Sequence, residues 1–148
     1  MSSNIGQASL GETGGRNQQP GNQTGRELNI SSWYNGRWLG VLRYKSRKKA
    51  ERAAQTCEAA IKNRNIGYDM DDRNTAYEAA RAVGWDVSRI TKPVETDCSA
   101  LMMLCAVAAG CASVEALYRR QGNSCTTYCM LHDWPATGDF VLLTGSKY

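Results

Sequence analysis

The sequence predicts an α+β domain, helical through its first two thirds and closing on a short sheet, and three features predict it. Residues 101–109 are apolar at every position, which reads as a helix buried on all sides. Ala50, Ala53, Ala54, Cys57, Ala60 and Ile61 recur on one helical stripe, opposite Arg47, Lys48, Glu51, Arg52 and Lys62; that pattern is an amphipathic helix with one face on the core. Short apolar runs at 28–30, 41–44 and 140–143 are strand-sized and bounded by turn residues.

Each element follows in chain order. Residues 1–25 are rich in Gly, Asn, Gln and Ser and hold too little apolar surface to repay ordering, so 1–27 is expected to be a flexible arm and 28–148 the folded domain. The turn cluster Pro20-Gly21-Asn22-Gln23-Thr24-Gly25 is able to line a site. Trp33, Tyr34 and Trp38 lie between the first two extended runs, either as packing or, if exposed, as rings that stack on sugars. Ser46 opens the amphipathic helix, which ends near 63–67, and 66–69 form a loop that presents Tyr68 and Asp69 to a site. Asp71 or Asp72 starts a second helix with Ala76, Tyr77, Ala80 and Val83 inward, stopping at Gly84. Residues 86–94 read as a loop that Pro93 keeps out of the next helix. Thr96 or Asp97 caps the apolar helix and Gly110 ends it. Ser113 and Ser124 are possible caps for short helices at 114–119 and 126–132, and Pro135 and Gly138 mark the turn before the last strand.

Composition excludes several classes of function. A chain of 148 residues fits one domain, and no apolar run reaches the ~18 residues a membrane span needs. The N-terminus lacks the basic and apolar regions of a signal peptide, so the expectation is a protein that stays in the cytoplasm of the producing cell. A net charge of +4 is mild, and the basic run 43–52 lies on the polar side of a helix and includes Glu51, which is a solvated face rather than a nucleic-acid patch. Six cysteines without an export signal read as mostly reduced thiols. The rival reading is a zinc site from Cys125, Cys129 and His132 with Cys111 or Cys105, but the same spacing matches one face of a short helix, so no metal is expected.

One cysteine stands apart. Cys98 falls in the first turn of the buried helix, where unpaired N–H groups and the positive end of the helix dipole favour a thiolate, so its pKa is expected below the ~8.5 of a free cysteine. Polar Asp97 and Ser99 on either side place that turn near solvent and make Cys98 a candidate nucleophile; the alternative is a small buried hydrophobe.

The succession Gln23-Thr24-Gly25-Arg26-Glu27, Trp33-Tyr34-Asn35, Asn65-Ile66-Gly67-Tyr68-Asp69 and Glu95-Thr96-Asp97-Cys98-Ser99-Ala100-Leu101 resembles phage- and prophage-encoded peptidoglycan hydrolases of the NlpC-like, papain-fold group. The resemblance implies a papain-like fold in which Cys98 attacks an amide carbonyl of bacterial peptidoglycan, and Tyr68 and Asp69, on their loop, are the candidate substrate-binding residues. It implies no cofactor, a monomer, and access to the wall by phage-mediated release. In that group a strand pair bearing a histidine follows the region resembling Ala136-Thr137-Gly138-Asp139-Phe140, and supplies the general base. The sequence ends at Tyr148 before it, and the one histidine, His132, precedes the expected place. The expectation is therefore a C-terminally shortened hydrolase with an incomplete sheet, in which His132 is a substitute base at best. The rival class is an inactive remnant or a non-enzymatic wall-binding protein.

Overall fold

The computed structural model describes residues 4–8, 21, 23–34, 36 and 38–145. Along the chain these form β1 (Asn4–Ala8), β2 (Leu28–Ser32), β3 (Val41–Tyr44), α1 (Arg47–Lys62), β4 (Ile66–Tyr68), α2 (Thr75–Ala82), β5 (Val94–Thr96), α3 (Cys98–Ala108), α4 (Ala112–Arg120), α5 (Thr127–His132) and β6 (Phe140–Leu143), with 3₁₀ turns at Val87–Arg89 and Trp134–Thr137. The architecture is mixed α+β. It is not helical in the first two thirds with a sheet at the end, because β1 to β5 all precede α3. The strands form three separate pairs: β1 with β2 antiparallel, β3 with β6 antiparallel, and β4 with β5 parallel. None of the helices among the described residues is long and apolar enough to cross a membrane.

α3 is the centre, as its composition dictates. Leu101, Met103, Leu104 and Ala106 expose no more than 0% of their surface, and α1, α2, α4 and β1 pack around the helix. Each large apolar side chain buried there contributes about 1.5–3 kcal/mol relative to exposure. α3 stops where Gly110 takes φ +94°, a left-handed conformation that a side chain disfavours. α1 starts at the N-cap Ser46, whose hydroxyl accepts from the Lys49 N–H, and turns Ala53, Cys57 and Ala60 inward. Its C-terminal neighbour Asn63 then donates to the Val87 and Ile90 carbonyls, tying the helix end to the turn before β5. β3 and β6 close the other side, with Tyr44 against Phe140 at 4.7 Å and Lys49 paired to Asp139 at 2.6 Å.

Several local expectations differ from the structure. Residues 66–68, read as loop, are a fully buried strand, because parallel pairing with β5 satisfies a backbone that the sequence alone leaves without a partner. Within the stretch expected to be a flexible arm, Asn4–Ala8 is a strand held by β2, with Ala8 buried, while residues 9–20 and 22 lie outside the described residues. α2 starts after Asn74 rather than at Asp71 or Asp72, α4 after Cys111 rather than at Ser113, and α5 is capped by Thr126 rather than Ser124.

Candidate functional site

The parallel pair sets up the site. Because Tyr68 lies opposite Thr96 and the Asp69 N–H donates to the Thr96 carbonyl at 3.1 Å, the ends of β4 and β5 are held together where the chain enters α3. Asp97 is the N-cap of that helix: its Oδ1 accepts from the Ala100 N–H at 2.7 Å and lies 3.0 Å from the Ser99 hydroxyl. Its Oδ2 accepts from Arg73 Nη1 at 2.8 Å. Asp97 is buried, and an ionised carboxylate there is tolerable because every one of these partners answers it.

Cys98 follows as the first helical residue, and it is exposed. Its thiol is nevertheless pushed up rather than down. Partial desolvation of the sulfur and the neighbouring Asp97 carboxylate raise it, and the backbone N–H groups of Ser99 and Cys98, with the Arg73 guanidinium, pull the other way without prevailing. The expectation of a depressed pKa fails because the sulfur is partly desolvated and because the cap that builds the helix start is itself an anion beside it.

Tyr68 ends the buried strand β4 instead of riding on a loop, and Asp69, also buried, is the first residue after it. Asp69 Oδ1 accepts from the Asp71 and Asp72 N–H groups at 2.7 and 3.3 Å, and no described group bonds its buried Oδ2. Both Tyr68 and Asp69 lie beside the end of β5, two positions before Cys98. No hydrogen bond joins His132 to any of the three among the described residues. It is the last residue of α5, exposed, with its ring 4.1 Å from that of Tyr128. The opposite end of α5 is the anchored one: the Cys125 carbonyl accepts from Arg73 Nη2 at 2.7 Å and lies 3.0 Å from Ser99 Oγ. Six residues of helix put His132 about 9 Å along the axis from that anchor, and no hydrogen bond joins it to Cys98 among the described residues.

Of the residues named for a metal, Cys105, Cys111 and Cys125 are buried, and Cys129 Sγ accepts from the Thr126 hydroxyl at 3.3 Å. Burial pushes the Cys111 thiol up to about 11 and the Cys125 thiol up to about 12.

Sequence reasoning missed two residues that build the site. Arg73 follows three aspartates in a five-residue stretch and reads as one more surface charge; only the fold aims it at Asp97. Glu95, buried in β5, accepts from the Gly21 N–H at 2.8 Å and from Gln23 Nε2 at 2.6 Å, fastening Gly21 and the 23–27 segment over the sheet. Gly67 permits that contact, since a Cβ there would stand 2.7 Å from Gln23 Cγ and 2.8 Å from Glu95 Oε2. Within the segment, burial opposes ionisation of Glu27, but the Thr24 and Arg26 N–H groups hold its carboxyl below the usual carboxylate range. The aromatic group is on the surface: Trp33 and Tyr34 are about half exposed, their rings 5.9 and 5.1 Å from that of Trp38, and Trp38 also lines a groove of about 380 Å³ with Leu42, Met130 and Leu142.

Chemically, the arrangement offers an accessible sulfur at a helix start, two N–H groups directed at it and a carboxylate–guanidinium pair behind it. No curated protein is significantly similar to the chain. No solved structure is either. The endolysin-like domain model matches residues 5–148, a family whose description points to cell-wall lysis, and the chain belongs to that family.

Proposed function

We propose that the domain hydrolyses an amide bond of peptidoglycan with Cys98 as nucleophile. The observation that carries this reading is an exposed cysteine at the first position of a buried helix, in a chain of the endolysin-like family. The deprotonated sulfur attacks the amide carbonyl and the resulting oxyanion is met by the N–H groups at the start of α3. The carbon–nitrogen bond breaks, the amine leaves with a proton, and a thioester remains. Water then adds to the thioester, releasing the carboxylic acid and returning the thiol. Tyr68 and Asp69 flank the substrate at the ends of β4. A thiol held protonated in the resting site needs a base to take its proton, and His132 is the one imidazole in the chain.

A second reading is a wall-binding protein without turnover, favoured by the stacking of His132 on Tyr128 at the far end of α5. Lysis of purified cell walls in a gel separates the two. The hydrolase reading expects clearing by the wild type and none by Cys98→Ala; clearing that survives Cys98→Ala overturns the nucleophile. Clearing lost on His132→Ala makes His132 the base. Co-sedimentation with walls in the absence of any clearing supports the second reading.

A further inference from the structure

We propose that Arg73 is the positioning residue of this site: by neutralising Asp97 and fixing residues 124–125 against the start of α3, it lets the helix mouth tolerate a charged sulfur at Cys98. The inference rests on Cys98 being the reactive residue.

The geometry is a closed ring. Arg73 sits between β4 and α2 and spreads its two terminal nitrogens in different directions, Nη1 to Asp97 Oδ2 at 2.8 Å and Nη2 to Ser124 Oγ at 3.0 Å and the Cys125 carbonyl at 2.7 Å. Ser99 Oγ completes the circuit, lying 3.0 Å from both Asp97 Oδ1 and that same Cys125 carbonyl. The adjacent Asn74 amide donates to the Asn123 carbonyl at 2.8 Å, so two consecutive residues clasp the segment that leads into α5. A planar guanidinium serves both branches at once, which a lysine ammonium cannot do with the same fixed angles.

The electrostatics give Arg73 a role beyond scaffolding. The charged and titratable groups facing the Cys98 sulfur are Asp97 on the preceding residue, Arg73 across the ring and the Cys125 thiol before α5. Burial keeps the Cys125 thiol neutral near pH 7, which leaves one anion and one cation with opposite effects on the sulfur. Without Arg73, only the Ser99 and Cys98 N–H groups are left to oppose burial and the Asp97 charge at the sulfur.

Iodoacetamide labelling of the full chain between about pH 6 and pH 11, read at Cys98 by peptide mapping, tests this on a scale set by the thiolate fraction. Arg73→Met should move the midpoint of the Cys98 profile up, because Asp97, one position before the sulfur, loses the cation that pairs with it. Asp97→Asn, which keeps a capping side chain, should move it down, and the double variant should return close to the wild type. A purely structural role predicts lower melting temperatures with no shift, or shifts of one sign in both single variants; either result overturns the proposal. If Arg73→Met does not fold, Arg73→Lys decides in its place: it keeps the charge without the fork, and the proposal requires a midpoint above that of the wild type with weakened protection of 123–125. A wild-type midpoint with unchanged protection there refutes it. Wall clearing that survives Cys98→Ala would remove the proposed chemistry while leaving the profiles to decide the role of Arg73.

Discussion

Replacing Glu95 by Ala should release Gly21 and the 23–27 segment from the sheet while leaving the domain folded. Glu95 Oε1 takes the Gly21 N–H at 2.8 Å and Gln23 Nε2 at 2.6 Å, and hydrogen bonds to a charged group are worth about 1.5–3 kcal/mol each. Gly21 is exposed and Gln23 half-buried, so water recovers part of that on release. Gln23 also keeps its 3.1 Å bond to the Val94 carbonyl. A net loss of about 2 kcal/mol remains for the segment, or roughly 30-fold in its opening equilibrium, at about 1.4 kcal/mol per tenfold. The Glu27 bonds to Thr24 and Arg26 are untouched, so the segment should keep its internal turn as it lifts away. Hydrogen exchange of a peptide spanning 20–27, followed by mass spectrometry, reads this directly. Glu95→Ala should exchange tens of fold faster there and little faster in α3. Glu95→Gln retains an acceptor oxygen and should fall between. Unchanged exchange at 20–27 in Glu95→Ala would show that this carboxylate does not fasten the segment.

Two further outcomes follow from the core. Leu104→Ala, at a fully buried position of α3, should cost about 2–5 kcal/mol, seen as a lower urea midpoint with an unchanged slope; a cost under about 1 kcal/mol would mean that α3 is not the centre of packing. Burial raises the Cys111 thiol to about 11 and the Cys125 thiol to about 12, so the unfolded chain gives up these protons first as pH rises above about 8.5. The folded state then binds more protons than the unfolded one, and stability should decline from about pH 8.5 through pH 11–12, with a shallower decline in Cys125→Ala measured by urea unfolding across that range.

Elements whose signals are local were legible. Ser46 announces α1, Asp97 and Gly110 bracket α3, and the apolar run at Phe140–Leu143 is β6 to the residue. What stayed hidden is made by partners distant in the chain. Ile66-Gly67-Tyr68 carries a glycine and is only three residues long, so nothing in it indicates a strand until β5 lies alongside. Asn4–Ala8 sits in a polar stretch and gains its order from β2. Cys98 was legible as a helix-start residue, yet the sign of its shift is set by how far the fold desolvates the sulfur and by a buried carboxylate one position earlier, and the helix dipole alone gives the wrong sign. His132 was the only imidazole on offer, and its ring contact with Tyr128 is the local i, i+4 pairing of α5, whereas the direction of α5 in the fold is not written in the sequence.

The ring around Asp97 also bears on the order of folding. Its members come from three separated stretches, at 73, 97–99 and 124–125, and it closes only after β4 and β5 have met across α2 and the chain has returned through α4. Such long-range contacts bear their loop-closure entropy before they return any energy, so they form late relative to α1 or α3 alone. The expected order is therefore helices before a finished site, which ring substitutions followed in folding and unfolding rates would check. Substitutions within the ring belong among those that speed unfolding more than they slow folding.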